Sequence, residues 1–311
     1  MKKLIAFALC AVMVVAALAG CSNAAKPEET TATPAADATQ ATQEAAKPET
    51  MTGAIDVLSR EDGSGTRGAF IELFGVEQKN DAGEKVDHTT DAAEITNSTS
   101  VMLTTVAGDP AAIGYISLGA LSDDVKALKI DGVEATAENV ANGTYTVARP
   151  FNIATKGEAT GVAADFITYI LSAEANEIIE EKGYIGVDGA KHYEAKDASG
   201  KLTISGSSSV TPLMEALKEA YEKLNPNVTI EIQQSDSSAG MNAVRDKICD
   251  IGMASRELKE SELAAGIKPL VIAMDGIAVI VSNDNPVTGL TRDQVKAIYT
   301  GEVTDWGEVT K

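Results

Sequence analysis

An α/β fold is predicted by two features of the chain. Short β-rich runs alternate with amphipathic helices, and three of those helices open on stretches of small hydroxyl residues and glycine. In chain order, Ile55 to Leu58 reads as a strand that leads through Gly63 to Thr66 into a helix carrying Phe70 and Phe74. Ala112 to Ile116 is a strand, and Gly161 to Leu171 and Ala173 to Glu181 are helices. Leu202 to Ser205 is a strand, after which Val210, Leu213, Met214, Leu217, Tyr221 and Leu224 follow helical spacing, and Val228 to Gln233 returns to strand. A long apolar strand run covers Leu270 to Val281, and Thr291 and Asp293 open a further helix that reaches Tyr299.

The three hydroxyl-rich helix starts are Ser59 to Arg67, Gly206 to Pro212 and Ser235 to Gly240. A helix start exposes unpaired N–H groups and the positive end of the macrodipole, so serine and threonine beside it make a place for an anion. Taken singly, such residues are ordinary N-caps. Taken together, and with Arg60 and Arg256 close by in sequence, they could surround one oxyanion, whose oxygens a guanidinium fork fits well.

The N-terminus has the form of a secretory signal: Lys2 and Lys3, an apolar run from Leu4 to Leu18, then Leu18-Ala19-Gly20-Cys21, which resembles a bacterial lipobox. Residues 1–20 are therefore expected to be a signal peptide, with Cys21 lipidated and anchoring the protein to the membrane as an extracytoplasmic lipoprotein, for instance through palmitate. Residues 21–52 are rich in Ala, Thr, Glu, Pro and Gln and are expected to form a disordered tether, spanning roughly 30 Å as a flexible coil. Cys10 leaves with the signal and Cys21 takes the lipid, so Cys249 stands alone, read as a buried small hydrophobe.

The formal charge of −20 excludes nucleic acid as a partner and makes attraction to anionic lipid unfavourable. It does not exclude a small anion held by local hydrogen bonds in a closed cleft, because exposed charges beyond about 8 Å are screened. His88 and His192 have no metal-ligand spacing, and no nucleophile elbow surrounds Ser64 or Ser208. No catalytic residue, metal or cofactor is expected.

The segments SREDGSGTRGAF, GYISLGAL, ISGSSSVTPLMEALKEAY, DIGMASREL, DGIAVIV and LTRDQVKAIYTGEVTDW resemble those of the phosphate-binding proteins that serve bacterial ABC-type phosphate importers, over essentially all of residues 53–311. Their order is not that family's usual one. The chain reads as a circular permutant, with Gly189 to Gly200 joining the old ends and new ends opened between Trp306 and Ser59. The resemblance implies a two-lobed periplasmic-binding-protein-like fold of type II, each lobe a sheet flanked by helices, with ligand in the cleft between them. One lobe would comprise residues 148–275 and the other 53–147 plus 276–311. The permutation implies that Gly53 lies beside the segment after Trp306 and that the joint is exposed and tolerant.

The same resemblance implies the site. Ser208, Ser209 and Ser237 match phosphate-binding positions, as do Arg60, Ser64, Gly65 and Thr66, with Asp62 placed to hold the Arg60 guanidinium and Ser238 as a supporting residue. One departure is Ser255, followed by Arg256, where some members carry an aspartate that accepts the proton of bound phosphate. Asp275 has two readings, a replacement acceptor or a hinge residue bonded locally. The implied partners are inorganic phosphate and the permease subunits of an importer, with the protein itself a monomer. The alternatives are a receptor for sulfate or molybdate, or a sensor or adhesin lipoprotein on the same fold.

Overall fold

The computed structural model describes residues 50–188 and 190–309. The expected signal peptide, Cys21 and nearly all of the tether lie outside them. Thirteen strands and ten helices follow in order: β1 (Asp56–Arg60), α1 (Gly65–Leu73), β2 (Glu77–Lys79), β3 (Lys85–Asp87), β4 (Glu94–Thr96), α2 (Thr99–Gly108), β5 (Ala112–Ser117), β6 (Val125–Ala127), β7 (Lys129–Ile130), α3 (Ala137–Ala141), β8 (Ala148–Lys156), α4 (Gly161–Ile170), α5 (Ala173–Glu181), β9 (Ser199–Ser207), α6 (Thr211–Leu224), β10 (Asn227–Ser235), α7 (Ser237–Arg245), β11 (Ile251–Ala254), α8 (Glu260–Ala264), β12 (Ile267–Ser282), β13 (Gly289–Leu290), α9 (Arg292–Tyr299) and α10 (Trp306–Val309). Among them no helix is long and apolar enough to cross a membrane.

Eight strands run β10-β9-β11-β8-β12-β5-β1-β4 in one hydrogen-bonded path, with β6 on the side of β12. The 16-residue β12 makes the path continuous: its first part pairs with β8 and its second with β5. Two large apolar cores divide along it, with a smaller third around Met241, Val244 and Ile267. One gathers Phe151, Phe166, Leu217, Ile251 and Ile272, the other Phe70, Tyr115, Val279, Tyr299 and Trp306. The chain passes between them at Val147 to Phe151 and Ala273 to Ile277, and at that passage β8 and β12 pair directly, Asp275 with Arg149 and Gly276 with Ala148.

Helix faces explain the cores. In α6, Leu213, Met214, Leu217 and Tyr221 recur at helical spacing and are buried, with Pro212 in the first turn where its missing N–H costs nothing. In α9, Thr291 caps the helix and Gln294 returns the bond to the Thr291 N–H, closing a capping box.

Gly53 does lie beside the last helix. Its carbonyl accepts from the Trp306 N–H at 2.9 Å, and Ala54 bridges to Asp305. The joint is exposed over most of its described length, as expected, and it also carries anchoring contacts. The Tyr193 hydroxyl donates to Asp165 Oδ2 at 2.6 Å and accepts from Asn225 Nδ2, while Glu174 accepts from the Tyr193 N–H. A tyrosine with an apolar body and a polar tip finds both kinds of partner in the neighbouring core, so the segment is pinned rather than free.

Candidate functional site

Arg60, the last residue of β1, has its backbone N–H donated to the Tyr115 hydroxyl, which also bonds Ser59, so its position is fixed from below. The residue is 1% exposed. Nε and Nη2 form a fork on the Glu61 carboxylate at 2.8 Å each, and Nη2 also reaches Ser208 Oγ at 3.1 Å in the opposite core. Nη1 is buried and has no hydrogen-bond partner among the described residues. A buried cationic donor left unpaired is costly unless something anionic meets it.

Glu61, not Asp62, holds this guanidinium. Asp62 lies in the turn after β1, almost fully exposed, and pairs with Arg67 instead. Arg67 in turn donates to the Arg60 carbonyl and to Asp87, bracing the loop.

Around Arg60 the two cores meet through hydroxyls. Thr66 Oγ1 lies 2.8 Å from Ser209 Oγ, and Ser207 Oγ donates to Ser255 Oγ. Ser237 Oγ accepts from the Ser255 N–H, and the Ser238 N–H donates across to the Gly63 carbonyl. Ser207, Ser208, Ser209, Ser237, Ser255 and Thr66 are all buried. Gly65 sits among them. A Cβ there would stand 2.4 Å from Ser237 Oγ and 2.7 Å from Ser255 Oγ, so only glycine permits this approach.

Capping accounts for only part of these hydroxyls. Ser64 does cap α1, accepting from the Arg67 N–H. The cap of α7 is Asp236, however, which leaves the Ser237 hydroxyl for other partners, and α6 begins at Val210 with no side-chain cap at all. Ser208 and Ser209 therefore occupy a turn between β9 and α6 at the carboxyl end of the strands, where α/β sheets take their ligands.

Two supporting residues are placed elsewhere. Arg256 gives its guanidinium to Glu262 in a fork and to Ser238 Oγ, clamping α8 to α7 rather than facing the cluster. Asp275 is fully buried at the passage between cores, with Oδ2 on the Arg149 guanidinium and Oδ1 on the Ser117 hydroxyl. Burial pushes its carboxyl above the ordinary range, and Arg149 works against that shift. Both oxygens are thus bonded within the passage between the cores, in register opposite Arg149, and none of its hydrogen bonds reaches the hydroxyl cluster.

Thr99, the first residue of α2, belongs to the cluster and is absent from the sequence-derived set. Its Oγ1 lies 3.2 Å from Ser209 Oγ and 3.4 Å from Ser208 Oγ. The run Asn97-Ser98-Thr99-Ser100 carried the same hydroxyl-rich signal as the other three starts. Cys249 is buried, which pushes its thiol up to about 11, and it lies outside the cluster.

Hydroxyl side chains from four helix starts thus converge with one buried guanidinium. The chain matches the PBP superfamily domain over residues 16–174 and 192–310. It is 52% identical over 311 residues to phosphate-binding protein PstS 2 of Streptococcus agalactiae, covering 100% of this chain and 99% of that one. It is 44% identical over 268 residues to phosphate-binding protein PstS 2 of Streptococcus pneumoniae, covering 86% and 91%. A crystal structure of a phosphate ABC transporter, phosphate-binding protein from Streptococcus pneumoniae TIGR4 superposes with a TM-score of 0.66 at 44% identity, over 83% of this chain and 100% of that one. The chain belongs to this family of phosphate-binding proteins and has the periplasmic-binding-protein-like fold.

Proposed function

We propose that this protein is an extracytoplasmic receptor that captures inorganic phosphate and delivers it to the permease subunits of an ABC importer, without turning the ligand over. The observation that carries this reading is the Arg60 guanidinium, fixed by Glu61 and Ser208 and left with an unpaired buried Nη1 where hydroxyls from both cores converge. The expected binding residues are Arg60, Ser64, Gly65, Thr66, Ser208, Ser209 and Ser237. The two apolar cores act as lobes, residues 148–275 and 53–147 plus 276–311, that close on the ligand by bending at β8 and β12. The protein acts as a monomer, held near the outer face of the membrane by lipid on Cys21.

Calorimetric titration with phosphate, arsenate, sulfate and molybdate tests the ligand, and small-angle scattering tests closure. Saturable phosphate binding with a fall in radius of gyration is the expected result. Absence of binding to any of the four anions removes the receptor reading.

A second reading, a receptor of broader oxyanion range, is favoured by one observation. Glu61 is committed to Arg60 and Asp275 to Arg149, and Ser255 stands where the resemblance implies an acidic acceptor in some members.

A further inference from the structure

Selectivity for phosphate over a fully deprotonated oxyanion requires a group that accepts the ligand's proton, and the hydroxyls of the cluster are unequally free to do so. The Arg60 Nη2 donates into Ser208 Oγ, the Ser209 N–H into Ser207 Oγ and the Ser255 N–H into Ser237 Oγ. Ser64 Oγ takes the Arg67 N–H as a helix cap. Each of these oxygens already has a fixed donor. Thr99 Oγ1 does not: its hydrogen-bond neighbours are the hydroxyls of Ser208 and Ser209, which rotate to suit. Thr66, Ser209 and Ser255 share this freedom, meeting only other hydroxyls, but among the described residues Thr99 is the one of the four whose hydroxyl also lies within hydrogen-bond distance of Ser208, the residue that Arg60 grips.

Thr99 is buried, and α2 behind it is a ten-residue helix whose own cap is Ser98, so its side chain is not needed to finish the helix. Its neighbour Ser208 is the residue that Arg60 grips, and the adjacent Arg60 Nη1 is the buried donor without a partner. Both features belong to one place.

We propose that Thr99 is a further ligand-contacting residue of the site, and that its hydroxyl is the acceptor for the proton of bound monohydrogen phosphate. The proposal rests on the receptor reading above. It implies an asymmetry between ligands. A P–OH proton has one direction in which to bond, so losing its acceptor strands it in a buried site; a sulfate oxygen that loses one donor still has other hydroxyls to accept from.

The test is calorimetric titration of the wild-type protein, Thr99→Val and Thr99→Ser with phosphate and with sulfate, alongside thermal melting without ligand. Thr99→Val, which keeps the shape and removes the hydroxyl, should weaken phosphate by about tenfold or more and sulfate by distinctly less, and Thr99→Ser should restore phosphate binding. An equal loss for both anions would make Thr99 a latch between the cores and overturn the proposal, as would unchanged affinity. If Thr99→Val does not fold, Thr99→Ala against Thr99→Ser isolates the same hydroxyl. A wild-type protein that binds neither anion refutes the receptor reading itself; one that binds both, with Thr99→Val indifferent, refutes only the role of Thr99.

Discussion

Arg60 is the residue on which the site depends most. Arg60→Ala removes a charge-assisted donor and leaves Glu61 as an unpaired carboxylate facing an anion, so a loss of about 2–4 kcal/mol in binding is expected for every oxyanion, read by titration calorimetry. Asp62→Ala should change binding by no more than about 0.5 kcal/mol, because that side chain is in solvent and pairs only with Arg67, which keeps its bonds to the Arg60 carbonyl and Asp87. Gly65→Ala is expected to abolish binding, read by titration calorimetry, because the added Cβ collides with Ser237 and Ser255 where the cores meet. Most of these residues were legible from the hydroxyl runs and the resemblance. The choice of Glu61 over Asp62 was not, since which of two adjacent carboxylates turns inward is set by the end of β1 and its turn. Arg149, the partner of Asp275, is set by strand register, which one sequence does not display.

Among the elements, the strand-turn-helix units around α1, α6 and α7 could be read from periodicity, and α5 and α9 begin and end close to where capping residues predict. The short hairpin of β2 and β3 and the two-residue strands β7 and β13 carry too few alternating residues to be seen. β8 is hidden by Pro150, which is tolerated because it sits where the strand passes between cores. The joint after α5 supplies a pH prediction. Glu174 is held down to about 2, chiefly by the Tyr193 N–H and then by His192, with Ser172 contributing. A carboxyl whose folded value is depressed adds stability above its unfolded value near 4.5, and that stability is lost as pH falls toward 2. Acid should therefore loosen the joint first: amide exchange at Tyr193 should rise between about pH 4 and pH 2 before the β9 amides follow, and Glu174→Gln should remove that dependence. Simultaneous loss at Tyr193 and β9 would show that the joint has no separate stability.

For the whole molecule, the meeting of Gly53 with Trp306 and of Ala54 with Asp305 brings the start of the described fold beside its last helix. The arrangement of the two cores has a further consequence, which concerns the order in which they form. The core around Phe151 is a single stretch of chain, whereas the core around Tyr115 is assembled from stretches on either side of it. Bringing the outer stretches together through an unfolded loop of about 130 residues costs on the order of 4 kcal/mol in chain entropy. Once the inner core is folded that cost is already met, because the β8 and β12 ladder holds Val147 and Ile277 in hydrogen-bond contact. Folding should thus proceed from the middle of the chain outward. Trp306, the chain's one tryptophan, is buried in the outer core, so its fluorescence should recover after the amides of β9, α6 and β10 are protected from exchange during refolding. Fluorescence recovering first would mean that the split core nucleates in spite of its topology.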